Sequence, residues 1–274
     1  MQHGLARKYS TVKPSLLFLP FFLLITIALI LKILGVWNIE GYIMFQEPAF
    51  FHINHLMGQY ATLMYNLTQM GDALIFLSLI SIFIINKPIL CEALVSGLLV
   101  SLLASTLLKS IFSVPRPAAV FDHNDFIIVG KVLSGHNSLP SGHSMTAFVI
   151  LTILMYTFLP KKLIHKFFYI LIFLLTGLIL AFTRVGVGAH YPLDVIFGGI
   201  VGYICGLVGI FIAKRYEVGG WIVNKKYYPF FMLVFGVGCF MLYKKIMHEN
   251  LLIFYIAFVS LFFSLYKIIK AYAK

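Results

Sequence analysis

Charge is what this sequence has least of. Only 11% of its 274 residues are Asp, Glu, Lys or Arg, against roughly 25% in a soluble domain. Acidic residues are the scarcer kind, nine against 21 basic ones. Cysteine is nearly missing: Cys91, Cys205 and Cys239 lie in or beside apolar runs without metal-like spacing, and read as small buried hydrophobes. Strand-like alternation is lacking, which argues against a transmembrane barrel. No internal repeat, linker or low-complexity stretch divides the chain, so residues 1–274 read as one domain.

Apolar residues fill the space. They make up 61% of the chain, with 27 Phe and 15 Tyr, the balance of a polytopic membrane protein with aromatic belts. A bilayer core of ~30 Å takes about 17–25 helical residues. Runs 15–36, 73–86, 91–108, 144–159, 167–183, 193–213, 228–243 and 251–267 fit once flanking Lys, Tyr and Trp extend them into the interface. The expected fold is all-α: a polytopic transmembrane helix bundle with a six-helix core over about 15–213 and two added C-terminal helices over about 228–267. The first run follows Arg7, Lys8 and Lys13 without a small-residue cleavage site, so it reads as an uncleaved span.

The formal net charge of +12 comes in short clusters between apolar runs, which fits loop topology and not nucleic-acid binding. With the N-terminus inside, fourteen of the 21 Lys and Arg fall in cytoplasmic segments, among them Arg7, Lys8 and Lys274. Six fall outside: Lys109, Arg116, Lys131, Arg184, Lys244 and Lys245; Lys32 lies within the first span. The bias follows the positive-inside rule. Segment 37–72 has no Lys or Arg. Its Phe50, Phe51, Ile53, Leu56 and Met57 fit either an interfacial amphipathic helix or a connecting helix packed on the bundle.

Polar residues converge in three places, at the outer ends of the third to sixth runs: Lys109 to Pro117, Pro140 to His143, and Thr183 to Asp194. Lys109, Arg116 and Arg184 form a natural phosphate clamp, since Arg pairs planar and bidentate while Lys gives a point charge. Ser141, after Pro140 and before an apolar run, is an N-cap candidate whose helix would aim free N–H groups at an anion. Gly142 lets the backbone come close. His190 and Asp194 are spaced i, i+4 and would share a helix face, with Pro192 in the first turn. Asp194 would then fix the tautomer of His190 and free its other nitrogen to attack phosphorus. His143 suits a general acid for the leaving oxygen.

These groups resemble the signature of the type 2 phosphatidic acid phosphatase superfamily: Lys-x6-Arg-Pro, Pro-Ser-Gly-His and Ser-Arg-x5-His-x3-Asp. The order and intervals fit, with Thr183 where the family usually has Ser. The resemblance covers about the first six helices, including Asn66 to Gly71, and not the last two. It implies a six-helix core with its site at the membrane surface and a phosphohistidine on His190 oriented by Asp194. It also implies His143 as the acid, and Lys109, Arg116, Ser141, Gly142 and Arg184 around the phosphoryl oxygens. No cofactor and no metal are implied. The related haloperoxidases hold vanadate in the same cradle but are soluble.

The loop between the first two groups holds Asp122, His123, Asp125, Lys131 and His136, which suit contacts with a head group. Asp122, His123 and Asp125 alone lack the further ligands of a metal site. Ser134-Gly135-His136 echoes Ser141-Gly142-His143 without the preceding Pro or the following helix. The leading expectation is hydrolysis of a lipid phosphate or diphosphate at the periplasmic face of an inner membrane. Candidates are undecaprenyl diphosphate, phosphatidylglycerophosphate, phosphatidic acid and lipid A 1-phosphate. The alternatives are lipid-to-lipid phosphotransfer and a non-catalytic lipid binder or transporter.

Overall fold

The computed structural model of the protein describes residues 9, 12–84, 87–216 and 224–273. Arg7, Lys8 and Lys274, and positions 85 and 86 at the end of the second apolar run, lie outside the described residues. Ten α-helices and no strand occur among the described residues. They are α1 Phe18–Ile33, α2 Ile39–Gly58, α3 Ala61–Thr68, α4 Ala73–Ile84 and α5 Pro88–Phe112, then α6 Gly142–Thr157, α7 Leu163–Gly186, α8 Pro192–Tyr216, α9 Tyr228–Glu249 and α10 Leu252–Tyr272. The chain is an all-α membrane bundle.

All eight apolar runs become helices, but two are shorter than a span. Among the described residues, six helical stretches are long and apolar enough to cross a membrane, or up to seven if a bent pair counts as one. That pair is Ala61–Gly71 with Ala73–Ile82, turned by 78°. The bend puts a polar segment, Thr68 to Asp72, in the middle of what reads as one approach to the bilayer. The other short helix, α6, has 16 residues. Its middle is largely buried, including Met145, Val149, Ile150 and Ile153, so protein and not lipid satisfies its surface.

The helix centres pack through small residues. A Cβ at Gly202 of α8 would stand 2.5 Å from the Met145 carbonyl oxygen of α6, and one at Gly209 would stand 2.5 Å from the Ala93 carbonyl oxygen of α5. Only glycine permits these approaches, the usual device for joining helices in lipid. The outer faces stay apolar: Phe167, Ile172, Leu175 and Ile179 of α7 are all exposed, as lipid contact requires. Segment 37–72 resolves in favour of a packed connecting helix. Phe50 of α2 is fully buried, with its ring against Phe121, Phe126 and Tyr191. Both C-terminal helices exceed their predicted apolar limits, with 22 residues in α9 and 21 in α10. They bury Leu242, Phe254, Ala257 and Leu261 against Ile75 of α4.

Candidate active site

Lys109 sits in the last turn of α5. The helix ends where Ser113 turns left-handed (φ 46°) and donates its N–H to the Lys109 carbonyl at 3.0 Å. Arg116 follows on an extended backbone. Its N–H donates to the Gly135 carbonyl at 3.0 Å, and its Nε donates to Asn137 Oδ1 at 2.7 Å. The Ser134-Gly135-His136 echo therefore serves the site through its backbone, while the His136 side chain is exposed.

Ser141 caps α6. Its Oγ accepts from the Ser144 N–H at 3.4 Å and from the Ser144 hydroxyl at 3.0 Å. Its own N–H donates to the Asp194 carbonyl at 3.0 Å, tying the start of α6 to the start of α8. A Cβ at Gly142 would lie 3.6 Å from Lys109 Nζ. A lysine ammonium thus lies beside the positive end of a helix, two features that favour an anion.

His190 and Asp194 meet, but not on one helix as the i, i+4 spacing suggested. Pro192 is the first residue of α8, so His190 precedes the helix and Asp194 lies in its first turn. His190 Nδ1 is 3.5 Å from Asp194 Oδ2. The carboxylate is held from several sides. Oδ2 accepts from the Ser138 hydroxyl at 2.5 Å and the Tyr191 N–H at 3.0 Å, and Oδ1 accepts from the Tyr42 hydroxyl at 2.8 Å. Ser138 Oγ also lies 3.4 Å from His190 Nδ1, so it bridges the pair.

The other ring nitrogen, Nε2, lies 3.3 Å from Arg116 Nη1. A guanidinium only donates, so Nε2 accepts and the proton sits on Nδ1, facing Asp194 and Ser138. His190 is 1% exposed and Asp194 fully buried. Burial, then the charges of Arg116, Arg184 and Lys109, hold the His190 imidazole well below its ordinary pKa. The result is a neutral base with its lone pair turned toward cations.

Arg184 closes the group from the last turn of α7, its Nη1 donating to Thr68 Oγ1 at 2.9 Å. Its Nε is buried with no hydrogen-bond partner among the described residues. The neighbouring Thr183 turns its hydroxyl back to the Leu180 carbonyl at 2.6 Å. Arg184 and His143 line a cleft of about 120 Å³ together with Tyr65, Gln69, Lys131 and Ala189. His143 is packed from behind by Gly71, where a Cβ would stand 2.5 Å from its own Cβ. No larger residue fits there without moving the imidazole.

The structure thus brings together Lys109, Arg116, Ser141, Gly142, His143, Arg184, His190 and Asp194. Of the loop residues, Lys131 reaches the cleft. His123 turns to the Ala118 carbonyl at 2.9 Å, and Asp122 Oδ1 accepts from the backbone and side chain of Asn124. No three His, Cys, Asp or Glu gather as metal ligands among the described residues.

Sequence reasoning passed over Tyr42, Gln46, Asn54, Thr68 and Ser138. Gln46 Oε1 accepts from the Leu193 N–H at 2.6 Å, steadying the turn between His190 and Asp194. Asn54 donates to the carbonyls of Ile127 and Val185 at 2.9 and 3.0 Å and accepts from the Ile127 N–H at 2.8 Å. A signal was present: buried amides in a helix otherwise without Lys or Arg need partners.

Residues 90–216 match the model of the PAP2 superfamily. Among solved structures, Aquifex aeolicus LpxE is similar over 61% of this chain and 95% of its own, with 26% identity and a TM-score of 0.49. No curated protein matches the chain.

Proposed function

We propose, for a membrane protein whose residues 90–216 belong to the PAP2 superfamily, that it removes phosphate from a lipid phosphate monoester or diphosphate. The observation that carries this reading is the lone pair of buried, neutral His190 facing Arg116 at 3.3 Å, within a group of three cations. Such an arrangement suits a tetrahedral oxyanion held in line with a nucleophile.

Lys109, Arg116, Arg184 and the start of α6 at Ser141 and Gly142 hold the phosphoryl oxygens, and the free Nε of Arg184 takes one of them. His190 Nε2 attacks phosphorus as the bond from phosphorus to the lipid oxygen breaks. Burial and the same cations hold the His143 imidazole below its ordinary pKa, so His143 takes up its proton as the negative phosphoryl oxygens offset those charges, and gives it to the leaving oxygen. Nδ1 of His190 keeps its hydrogen, and Asp194 offsets the positive charge that develops on the ring. Water then attacks the phosphohistidine, losing a proton to His143, and releases inorganic phosphate with His190 restored. The cations supply the charge stabilisation, so no metal is required.

The site belongs at the periplasmic face of an inner membrane, with the N-terminus cytoplasmic, in a single phosphatase domain whose core spans about 15–213. The test is phosphate release by detergent-purified protein with EDTA present, across undecaprenyl diphosphate, phosphatidylglycerophosphate, phosphatidic acid and lipid A 1-phosphate. Release from at least one lipid is expected. Loss of release in EDTA, restored by a divalent cation, removes the metal-free mechanism. Label passing intact to a second lipid instead of to water establishes the transferase alternative. An inert protein in both assays leaves the lipid binder.

A further inference from the structure

Helix α5 brings a second polar side chain to the phosphoryl clamp. Ser105 lies four residues before Lys109, on the same face of the helix. Helical side chains lean toward the N-terminus of their helix, so the long Lys109 chain reaches back over the turn that Ser105 occupies. The two polar atoms converge on one place. A Cβ at Gly142 would stand 3.6 Å from Lys109 Nζ and 3.6 Å from Ser105 Oγ, and among the described residues no other atom from beyond its own turn of α6 lies within 4 Å of it. The space beside Gly142 is thus walled by an ammonium, a hydroxyl and the first turn of α6. The N–H groups of Gly142 and His143 in that turn have no partner among the described residues, as expected of a helix start. The hydroxyls next to Ser105 are engaged elsewhere: Thr106 donates to the Leu102 carbonyl at 2.9 Å and Ser110 to the Leu107 carbonyl at 2.8 Å. Ser105 makes no such bond, and its hydroxyl has no partner among the described residues. It is half-buried at the contact with α6, while Leu103 and Leu107 take the exposed side of α5.

We propose that Ser105 is a further phosphoryl-binding residue, its hydroxyl donating to the oxygen that Lys109 and the start of α6 hold. The inference rests on the lipid phosphatase reading and adds to it a residue outside the three polar groups of the sequence. Lys109 supplies charge but little direction, because an ammonium is a point charge on a flexible stem. Ser105 supplies direction without charge: its short side chain leaves the hydroxyl few places to go. With one oxygen fixed on the Gly142 side, phosphorus meets His190 Nε2 in a constant pose.

The experiment compares wild type with Ser105→Ala and Ser105→Thr, and uses Ser110→Ala as the control for loss of a hydroxyl elsewhere on α5. Orthovanadate probes the phosphoryl clamp without a lipid chain, kcat/KM is measured on the best lipid substrate, and thermal unfolding checks the fold. Ser105→Ala is expected to weaken vanadate inhibition and lower kcat/KM by a similar factor, about ten- to a hundredfold, the size of one lost hydrogen bond to a charged oxygen. Its unfolding temperature should hold within a few degrees, because Ala is the best helix former. Ser105→Thr keeps the hydroxyl and should stay within about threefold of wild type, and Ser110→Ala within about twofold. Vanadate inhibition unchanged by Ser105→Ala overturns the proposal, and a fall in kcat/KM alone would place the hydroxyl on the lipid portion of the substrate instead. Equal losses in the Ala and Thr variants also overturn it, since packing and not the hydroxyl would then be what matters. A wild type that neither hydrolyses lipid phosphate nor binds vanadate removes the phosphatase reading itself, and this inference with it.

Discussion

Two regions meet at His190, and they differ in what they bring. Residues 90–216, the part that matches the PAP2 superfamily, carry every side chain assigned a reactive role. Residues 39–72 carry none, yet they hold several of those side chains in place. Tyr42 donates to Asp194, Gln46 accepts from the Leu193 backbone, and Thr68 accepts from Arg184. Tyr42, Gln46 and Thr68 are 7%, 2% and 1% exposed, so each bond is made away from water, where an unmade one costs most. The groups assigned a reactive role lie in one stretch, and much of the support behind them comes from the other, with Ser138 and Asn137 adding to it from within the first. Substitutions should divide accordingly: the first region sets whether the reaction occurs, the second how well.

The largest effect tests the first half of that statement. His190→Gln should lower kcat by at least about 10⁴-fold, as loss of a nucleophile does elsewhere, while the unfolding temperature stays within a few degrees. Trapped ³²P on wild type, absent from the variant, gives the direct readout. A variant with more than one hundredth of wild-type turnover removes His190 from the nucleophile's role. His143→Asn follows, with an expected loss of about 10²–10⁴-fold in kcat. That loss should shrink for a substrate with a better leaving group, because less proton donation is then needed.

Tyr42→Phe probes the supporting region and should cost about tenfold in kcat with little change in KM. The phenyl ring fills the same space but leaves Asp194 Oδ1 short of its donor, a loss of roughly 1–3 kcal/mol for a buried polar group. A parallel rise in KM would sink the division of labour, since Tyr42 contacts Asp194 and not the phosphoryl clamp. Thr68→Val should be milder, about three- to fivefold in vanadate affinity, for it removes one neutral acceptor from Arg184.

The same division explains what was legible in the sequence. Apolar runs located eight of the helices, because a helix in lipid must satisfy its backbone internally and shows its length in hydropathy. The three polar groups stood out against that background, so the eight residues that the fold gathers around His190 were readable as a cluster. Periodicity overreached at His190 and Asp194: Pro192 starts α8, and the pair meets across the helix entrance and not along its face. Hydropathy overreached at runs 73–86 and 144–159, where bending at Asp72 and burial of α6 relieve the helices of spanning alone. Tyr42, Thr68 and Ser138 went unread for a different reason. A hydroxyl in a helix or a loop looks the same in sequence whether it closes on its own backbone, as Thr183 does on Leu180, or reaches 152 positions along the chain, as Tyr42 does to Asp194. Only the fold decides between them.

The smallest expected effect is one of acid. An ordinary imidazole goes from about one quarter to about three quarters protonated between pH 7 and pH 6. His190 should scarcely change over that range, because burial first and Arg116, Arg184 and Lys109 after it hold its pKa well below the ordinary value. The sign for stability follows from linkage. Below the ordinary imidazole pKa the unfolded chain takes up a proton that buried His190 refuses. The contribution of this group to stability is therefore full above that pKa and is lost as pH falls from it toward the folded value. ¹⁵N spectra of histidine-labelled protein, with His190→Gln identifying the resonance, should show neutral imidazole protonated at Nδ1 at both pH values. An imidazolium pattern at pH 6 would mean that the nitrogen facing Arg116 carries a hydrogen. A ring protonated on both nitrogens has no lone pair to offer phosphorus, and the proposed attack by Nε2 would fail with it.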